Sequence, residues 1–400
     1  MTRLDRTREL YWLAPIVGIA LLALGLLRPM PHLNPPAHGR TVVDAAGAPV
    51  EIEWPYRGTA LLGGYFYLTG WYLDSTRAPE SLMYAGTAAN RKEFTKGLMY
   101  WIYPEVERKQ GLWGSTAFKR SHGSDVDIES ALAYAPGAYL TTGSRFTSLP
   151  LLRSVGLPVL SYWEPKKIFA DVCIDAVRVE NRLIGTPERG EVIIARYYEA
   201  RAELEREYWD EMRPSTLGVR PRTALMASFR VDATRGYRGG MTRPAIYHDQ
   251  IAFPSQGMTD ATVGWKGGRD DVERILAMDP DIILLQGGDS PEQVMQDPRW
   301  AGLKAVRQKR VYRLPGFSNW GSALVVTPVV VRWIDEITHP DRLQPRVRQM
   351  LYDRLLAEYG YKLSEEQIDK FLKLDENRNS AGYWRFTDEY KAAMQERSGE

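Results

Sequence analysis

The 400-residue chain has one cysteine, Cys173, and only five histidines, none at metal-ligand spacing. A single cysteine excludes a disulfide framework and any multi-cysteine metal or iron–sulfur site. An excess of either sign of charge is also missing: 52 basic against 50 acidic residues leave a net +2. Such a chain carries no polyanion footprint, and nucleic acid is excluded as a partner. No glycine-rich nucleotide fingerprint, no hydrolase elbow and no cysteine cluster occurs in the sequence. A catalytic base or redox centre therefore has no visible home, and the chain reads as a non-enzyme with no catalytic residues and no cofactor.

What is present is a globular composition, 44% hydrophobic and 26% charged, with 12 Trp and 22 Tyr. The length suffices for two or three domains with filled cores. At the amino terminus Arg3, Arg6 and Arg8 precede the uncharged run Tyr11–Leu27. That run reaches roughly 26 Å as a helix, the lower limit for crossing a bilayer. A basic flank before an apolar run is an export signal whose positive end stays in the cytoplasm. No small-x-small cleavage site and no lipid-accepting cysteine follow, only Arg28-Pro29-Met30-Pro31 and then Pro35-Pro36. An uncleaved anchor is favoured over a cleaved signal peptide, with the bulk of the chain outside the cytoplasmic membrane.

The organising stretch is Asp271–Gly287, an amphipathic helix, an Asp279-Pro280-Asp281 breaker and the apolar run Ile282–Leu285. An apolar run of this kind suits a strand buried on both faces. It has an ungapped echo at Asp127–Gly143, matched at Asp127/Asp271, Glu129/Glu273, Leu132/Leu276, Ala133/Ala277, Pro136/Pro280 and Gly143/Gly287. The echo predicts two copies of one α/β unit. Between the copies, Thr186-Pro187-Glu188 starts a helix that continues to Met212, roughly 39 Å long. The expected fold is α/β: two Rossmann-like lobes bridged by a single long helix, behind an N-terminal hydrophobic anchor or signal segment. The expected divisions are residues 1–28 signal or anchor, 29–40 tether, 41–185 first lobe, 186–213 connecting helix, 214–340 second lobe and 341–400 helical extension.

Finer expectations follow along the chain. Thr41–Glu53 predicts a hairpin about Ala46-Gly47, and Thr59–Leu62, Leu82–Ala85, Leu157–Leu160, Thr223–Ala227 and Val311–Leu314 predict strands. Residues 90–120 read as irregular. Arg235–Arg243 reads as a Gly/Arg-rich loop, and Trp300, Leu303 and Val306 as one face of a helix. Further helices are expected near 324–337, 345–359 and 365–374, the last opened by a capping box from Ser364 to Gln367.

The hairpin VVDAAGAPVEI, the paired E-x₆-P motifs, the long connector and the ending WAGLKAVRQKRVYRLP together resemble periplasmic solute-binding proteins for iron chelates and cobalamin. The resemblance runs over roughly residues 41–337; segments 90–120 and 161–186 and the tail after about 340 depart from it. It implies two lobes with ligand in the cleft between them and delivery to the permease of an ABC importer. In that family one acid on each lobe pairs with permease arginines, and the matching positions are Glu129 and Glu273. A solvated helix face is the plainer role for these two acids.

In doubly wound sheets ligands sit beyond the carboxyl ends of the strands. That rule selects Tyr65 and Tyr67, Ser144 and Arg145, Tyr162 and Trp163, Phe229 and Arg230, Gln286, and Asn319 and Trp320. Tyr237, with Arg235 and Arg238, joins them from the Gly/Arg-rich loop. A bare transition metal prefers imidazole or carboxylate, and the set holds no histidine; His248 stands alone, so no protein metal site is expected. Arginine binds anionic oxygens in bidentate fashion, and Trp and Tyr cover planar or apolar surface. The set fits a negatively charged metal chelate of the ferric siderophore type; cobalamin, haem and a chelate-processing chelatase or reductase remain alternatives. The plainer roles are core packing for the tyrosines and surface ion pairs for the arginines.

Overall fold

A computed structural model describes residues 39–54, 59–62, 82–85, 98–102, 137–141, 149–161, 169–212, 223–232, 236–241, 276–277, 279–285, 289–315, 324–338, 340 and 343–387. The candidate membrane segment Tyr11–Leu27 lies outside them. Among the described residues no helix is long and apolar enough to cross a membrane.

The hairpin forms as expected from β1 (Gly39–Val43) and β2 (Pro49–Glu53), antiparallel, with Val42 opposite Val50. Its alternation turns Val42 and Ile52 inward. The first sheet holds β3 (Thr59–Leu62), β4 (Leu82–Ala85), β5 (Ala138–Thr141) and β6 (Val159–Ser161) in the order β4-β3-β5-β6, all parallel. Ala138, Tyr139 and Leu140 of β5 are wholly buried, as its uninterrupted apolar run requires. Burial holds the Tyr139 phenol well above its ordinary value, so it is neutral throughout the working range.

Short helices α1 (Leu98–Ile102) and α2 (Leu149–Ser154) precede α3 (Phe169–Ile184) and α4 (Pro187–Met212). Residues 90–120 are thus not wholly irregular, since Leu98 seats α1 in the core. The long helix α4 begins at the expected Pro187 and ends at the expected Met212. Ile193, Ile194, Tyr197, Ala200 and Leu204 form its buried stripe at helical spacing. The α3 helix, not foreseen, folds back on α4 through Gly185, at φ +83°. The pair comes close where a Cβ on Gly190 would sit 3.0 Å from Asn181 Cβ. Asn181 is satisfied internally, donating to Val177 O at 2.9 Å and accepting from Thr186 Oγ1 at 3.0 Å.

The second sheet has the order β10-β9-β7-β8, with β7 (Thr223–Asp232), β8 (Gly236–Met241), β9 (Ile282–Leu285) and β10 (Val311–Arg313). Pairs β10/β9 and β9/β7 are parallel, and β7/β8 is antiparallel. Two expectations are corrected. The glycine-rich stretch is strand β8, not a loop, because glycines on an edge strand still pair through their backbones. Trp300, Leu303 and Val306 are all buried, but on a 3₁₀ turn (Pro298–Trp300) followed by the one-turn α6 (Lys304–Arg307). The short α5 (Pro291–Gln296) before them carries a Ser290–Gln293 capping box.

Helices α7 (Thr327–Thr338), α8 (Val347–Tyr359), α9 (Glu365–Leu372) and α10 (Leu374–Asn377) close the chain with a 3₁₀ turn, Tyr383–Phe386. The capping box at Ser364 is present. Leu351, Leu355, Phe371, Leu372, Tyr383 and Phe386 share a core cluster with Ile282, Leu284 and Trp333. The described part of the C-terminal extension is therefore packed into the core that holds β9, not hung from it.

Candidate ligand site

In the first sheet the chain starts at β3, steps to β4 on one side and then to β5 on the other. That reversal makes the carboxyl ends of β3 and β5 the crevice where doubly wound sheets bind ligands. Register fixes the two ends level, with Leu62 opposite Thr141. In sequence, Tyr65 and Tyr67 follow Leu62 closely, and Arg145 follows Thr141 closely. Trp163 stands two residues after the end of β6. Tyr65, Tyr67, Arg145, Trp163 and Trp320 lie outside the described residues, as do Glu129 and Glu273. Of the strands before them, β3 ends at the expected Leu62, whereas β6 ends at Ser161, one residue beyond the expected Leu160, and β10 ends at Arg313, one residue short of the expected Leu314.

The exit of β6 is held by a residue that sequence reasoning missed. Asp44, at the hairpin turn, accepts four hydrogen bonds: Ala46 N at 3.0 Å, Ala48 N at 2.8 Å, Arg153 Nη2 at 3.0 Å and Ser161 N at 3.1 Å. Its side chain is fully buried. Ser161, the last residue of β6, also accepts from Ala45 N at 2.7 Å through its carbonyl. Arg153 donates as well to Val159 O. The signal was legible as an Asp opening a turn with glycine, D-A-A-G; its second partner on β6 was not.

In the second sheet the reversal falls between β7 and β9. Strand β7 pairs with β9 only over Thr223–Met226, and then continues to Asp232 paired with β8 alone. Phe229, Arg230 and Tyr237 sit on this prolonged hairpin, past the carboxyl end of the parallel part. Phe229 is opposite Gly239, Arg230 opposite Arg238 and Val231 opposite Tyr237. A third guanidinium-bearing residue, Arg238, is thus brought into register with Arg230. The sequence reading placed Phe229 and Arg230 after the strand; they are within it, at the same edge of the sheet.

The breaker before β9 also has a structural task. Asp279, at φ 43°, accepts from Lys304 N at 2.6 Å, and Pro280 O accepts from Ala305 N at 3.0 Å. Asp281 pairs with Lys304 Nζ. The motif thereby ties the amino end of β9 to α6, which leads into β10. Ile282–Leu285 follow as a four-residue buried strand.

A groove of about 260 Å³ between α3 and α4 is lined by Arg178, Arg182, Pro187, Glu188 and Glu191. Arg178 is already engaged with Glu191 at 2.8 and 3.2 Å, which holds the Glu191 carboxyl below its usual range. Among the described residues no group of three His, Cys, Asp or Glu side chains is placed to hold a metal ion.

Over residues 100–316, more than half of the chain, the sequence matches the periplasmic binding protein family. No curated protein matches it. Among solved structures, a periplasmic solute binding protein from Veillonella parvula is similar with a TM-score of 0.66 at 18% identity, covering 85% of this chain and 99% of its own. The molybdate-bound periplasmic binding protein MolA of Haemophilus influenzae follows at 0.61 and 16%, covering 81% and 99%. The iron-uptake system-binding protein FeuA of Bacillus subtilis has a TM-score of 0.52 at 14%, covering 75% and 100%. At these identities the likeness is one of fold.

Proposed function

The chain belongs to the periplasmic binding protein family, and on that premise we propose that it is the extracytoplasmic substrate-binding component of an ABC importer. Its ligand is an anionic metal chelate of the ferric siderophore type, bound between two lobes and handed intact to a membrane permease. The observation that carries this reading is the position of the strand ends. Both sheets reverse direction at a point from which aromatic and arginine residues emerge, and Arg230 and Arg238 share one rung of a hairpin. Guanidinium groups suit the anionic oxygens of a chelate, and Tyr65, Tyr67, Trp163, Phe229, Tyr237 and Trp320 suit its organic surface.

The long helix α4 bridges the lobes. A single stiff connector limits closure to a small angle, so the cleft is largely formed before ligand arrives. Glu129 and Glu273, one on each lobe, meet basic residues of the permease. Tyr11–Leu27 anchors the chain to the outer face of the cytoplasmic membrane.

Tryptophan fluorescence titrated with ferric catecholate, hydroxamate and citrate complexes, haem and cobalamin tests the assignment. Saturable quenching by an anionic ferric chelate, weakened in Arg145→Ala and Arg230→Ala, is the expected result. Unchanged affinity in both variants overturns the site. The absorbance of the chelate after release by dialysis separates receptor from enzyme, since a receptor returns its ligand unaltered.

A further inference from the structure

We propose that the β1–β2 hairpin is a strap joining the first sheet to the elbow between α3 and α4, fixed at its turn and releasable at its open end, where Trp54 rests on Gly185. The contacts belong to described residues alone; their consequence for ligand capture rests on the receptor reading above. The hairpin is a two-stranded sheet of its own, paired into neither four-stranded sheet. Its strands are five residues long, so its ends lie about 17 Å apart and can reach separate bodies.

Those bodies are told apart by their packing. Val177 of α3 and Ile193, Ile194 and Tyr197 of α4 share a core cluster with Ile282 and Leu284 of β9. Tyr139, Leu140, Val159 and Leu160 of the first sheet are buried but are not part of that cluster. At its turn the hairpin holds the first sheet. Asp44 Oδ2 accepts from Ser161 N at 3.1 Å and from Arg153 Nη2 at 3.0 Å, and Ala45 N donates to Ser161 O at 2.7 Å. At its open end it meets the other body. A Cβ on Gly185 would lie 2.9 Å from Trp54 Cη2 and 3.7 Å from Arg40 Nη1, so the ring sits directly on the glycine. Arg40 Cζ stands 5.4 Å from the centroid of the same ring. Gly185 is itself the bend, at φ +83°, closed by Thr186 N donating to Asn181 O at 2.8 Å.

The two ends differ in strength. The Asp44 side chain is fully buried and its bonds are charge-assisted, so this end is costly to break. Trp54 is 38% exposed, and an arginine over an exposed ring holds weakly. A change in the angle between the first sheet and the α3–α4 pair therefore takes place at the Trp54–Gly185 contact. In a two-lobed receptor that angle sets how wide the cleft stands.

The test is made without ligand, so its failure and that of the receptor reading are distinguishable. Nitroxide pairs are placed on the full chain carrying Cys173→Ser, and distances are read by electron spin resonance. One pair, Leu151→Cys with Val192→Cys, spans the strap from α2 to α4, and both sites are exposed. The other, Val192→Cys with Asp353→Cys, runs from α4 to α8 and does not cross the strap. Trp54→Ala is expected to broaden the spanning distribution by about 2 Å, the scale on which packed elements shift, and to leave the other unchanged. Gly185→Ala, which expels the ring without removing it, is expected to move the mean of the spanning distance. Arg40→Gln, at a half-buried position, is expected to broaden that distance by less, and it decides the matter if Trp54→Ala does not fold. Equal broadening of both pairs is general loosening and overturns the proposal. Spanning distributions that match the wild type in every variant that folds overturn it as well.

Discussion

The Asn377 carboxamide binds both backbone groups of Arg313. Its Oδ1 accepts from Arg313 N at 2.6 Å and its Nδ2 donates to Arg313 O at 2.9 Å. Ser380 and Ala381 continue the contact, through Ser380 Oγ to Val311 O and Ala381 N to Lys309 O. These groups lie on the outer side of β10, the edge of its sheet. An exposed edge strand is a template for unwanted pairing, and here the C-terminal segment covers it. Asn377→Leu removes both of these bonds to a buried backbone, each loss worth about 1–3 kcal/mol. A loss of about 3 kcal/mol is expected, read as a lower midpoint in urea with the slope unchanged. Asn377→Asp keeps the acceptor, loses the donor and falls between the two.

A second buried cluster gives a pH dependence. Glu336 is wholly buried; its Oε1 accepts from Arg332 Nε at 2.7 Å and from Arg346 N at 2.7 Å. Burial raises its carboxyl from 4.5 to about 7 against the pull of Arg332. Asp335 beside it is raised in the same direction, chiefly by burial. The folded chain therefore holds a proton on Glu336 that the unfolded chain has shed between about pH 4.5 and 7. Its contribution to stability is complete below 4.5 and is lost as pH climbs through 7. Glu336→Gln removes that dependence. The stability difference between variant and wild type is expected to move by about 3 kcal/mol in favour of the variant between pH 4.5 and 8. A parallel pair of urea-midpoint curves across that range speaks against the assignment.

Helix α4 is pinned to the C-terminal helices at two places. Glu358 of α8, its side chain 3% exposed, pairs with Arg189 at 3.0 Å and Arg196 at 2.9 Å, residues two turns apart on α4. Farther along, Glu207 of α4 pairs with Arg332 at 3.1 Å and with Arg346. Removing the shared acid breaks both ion pairs and leaves Arg189 only its bond to the Glu358 carbonyl, so Glu358→Ala is expected to cost about 2 kcal/mol. Glu191→Ala breaks an exposed pair and is expected to cost under about 1 kcal/mol. Equal losses in denaturant series on the two variants would show that the Glu358 pairs are no more than surface contacts.

How far the sequence could be read follows from the range of each signal. Local patterns were legible: the Pro187 start of α4, the Ser364 capping box and the apolar strand Ile282–Leu285 all stand as expected. The glycine-rich β8 was not, since Gly-Tyr-Arg-Gly-Gly-Met has no alternation and pairs only because β7 overruns β9. The single-helix reading of Trp300, Leu303 and Val306 respected the burial but not the backbone, which breaks at Leu303. Asp44 and Asn377 escaped because their partners on β6 and β10 are 117 and 64 residues away. For the site, Phe229, Arg230 and Tyr237 lie on β7 and β8, while Tyr65, Tyr67, Arg145, Trp163 and Trp320 fall outside the described residues.

The proposed docking role of Glu129 and Glu273 is tested where stability and ligand binding cannot imitate the result. Glu129 and Glu273 each stand seven residues before the proline of a repeated motif, and in both copies that proline is followed by a strand paired in parallel on both sides. Matched acids in duplicated units suit a partner with two matched basic patches, one for each lobe. A pair of rim charges acts on encounter and register with the partner, not on the ligand cleft. Glu129→Arg with Glu273→Arg is expected to lower chelate uptake by cells about tenfold or more, with either single reversal intermediate. The purified double variant is expected to bind the same chelate as tightly as the wild type. Undiminished uptake by the double variant, with normal binding, separates capture from permease docking. It leaves the acids as a solvated helix face and points to an anchored sensor in place of a delivery protein.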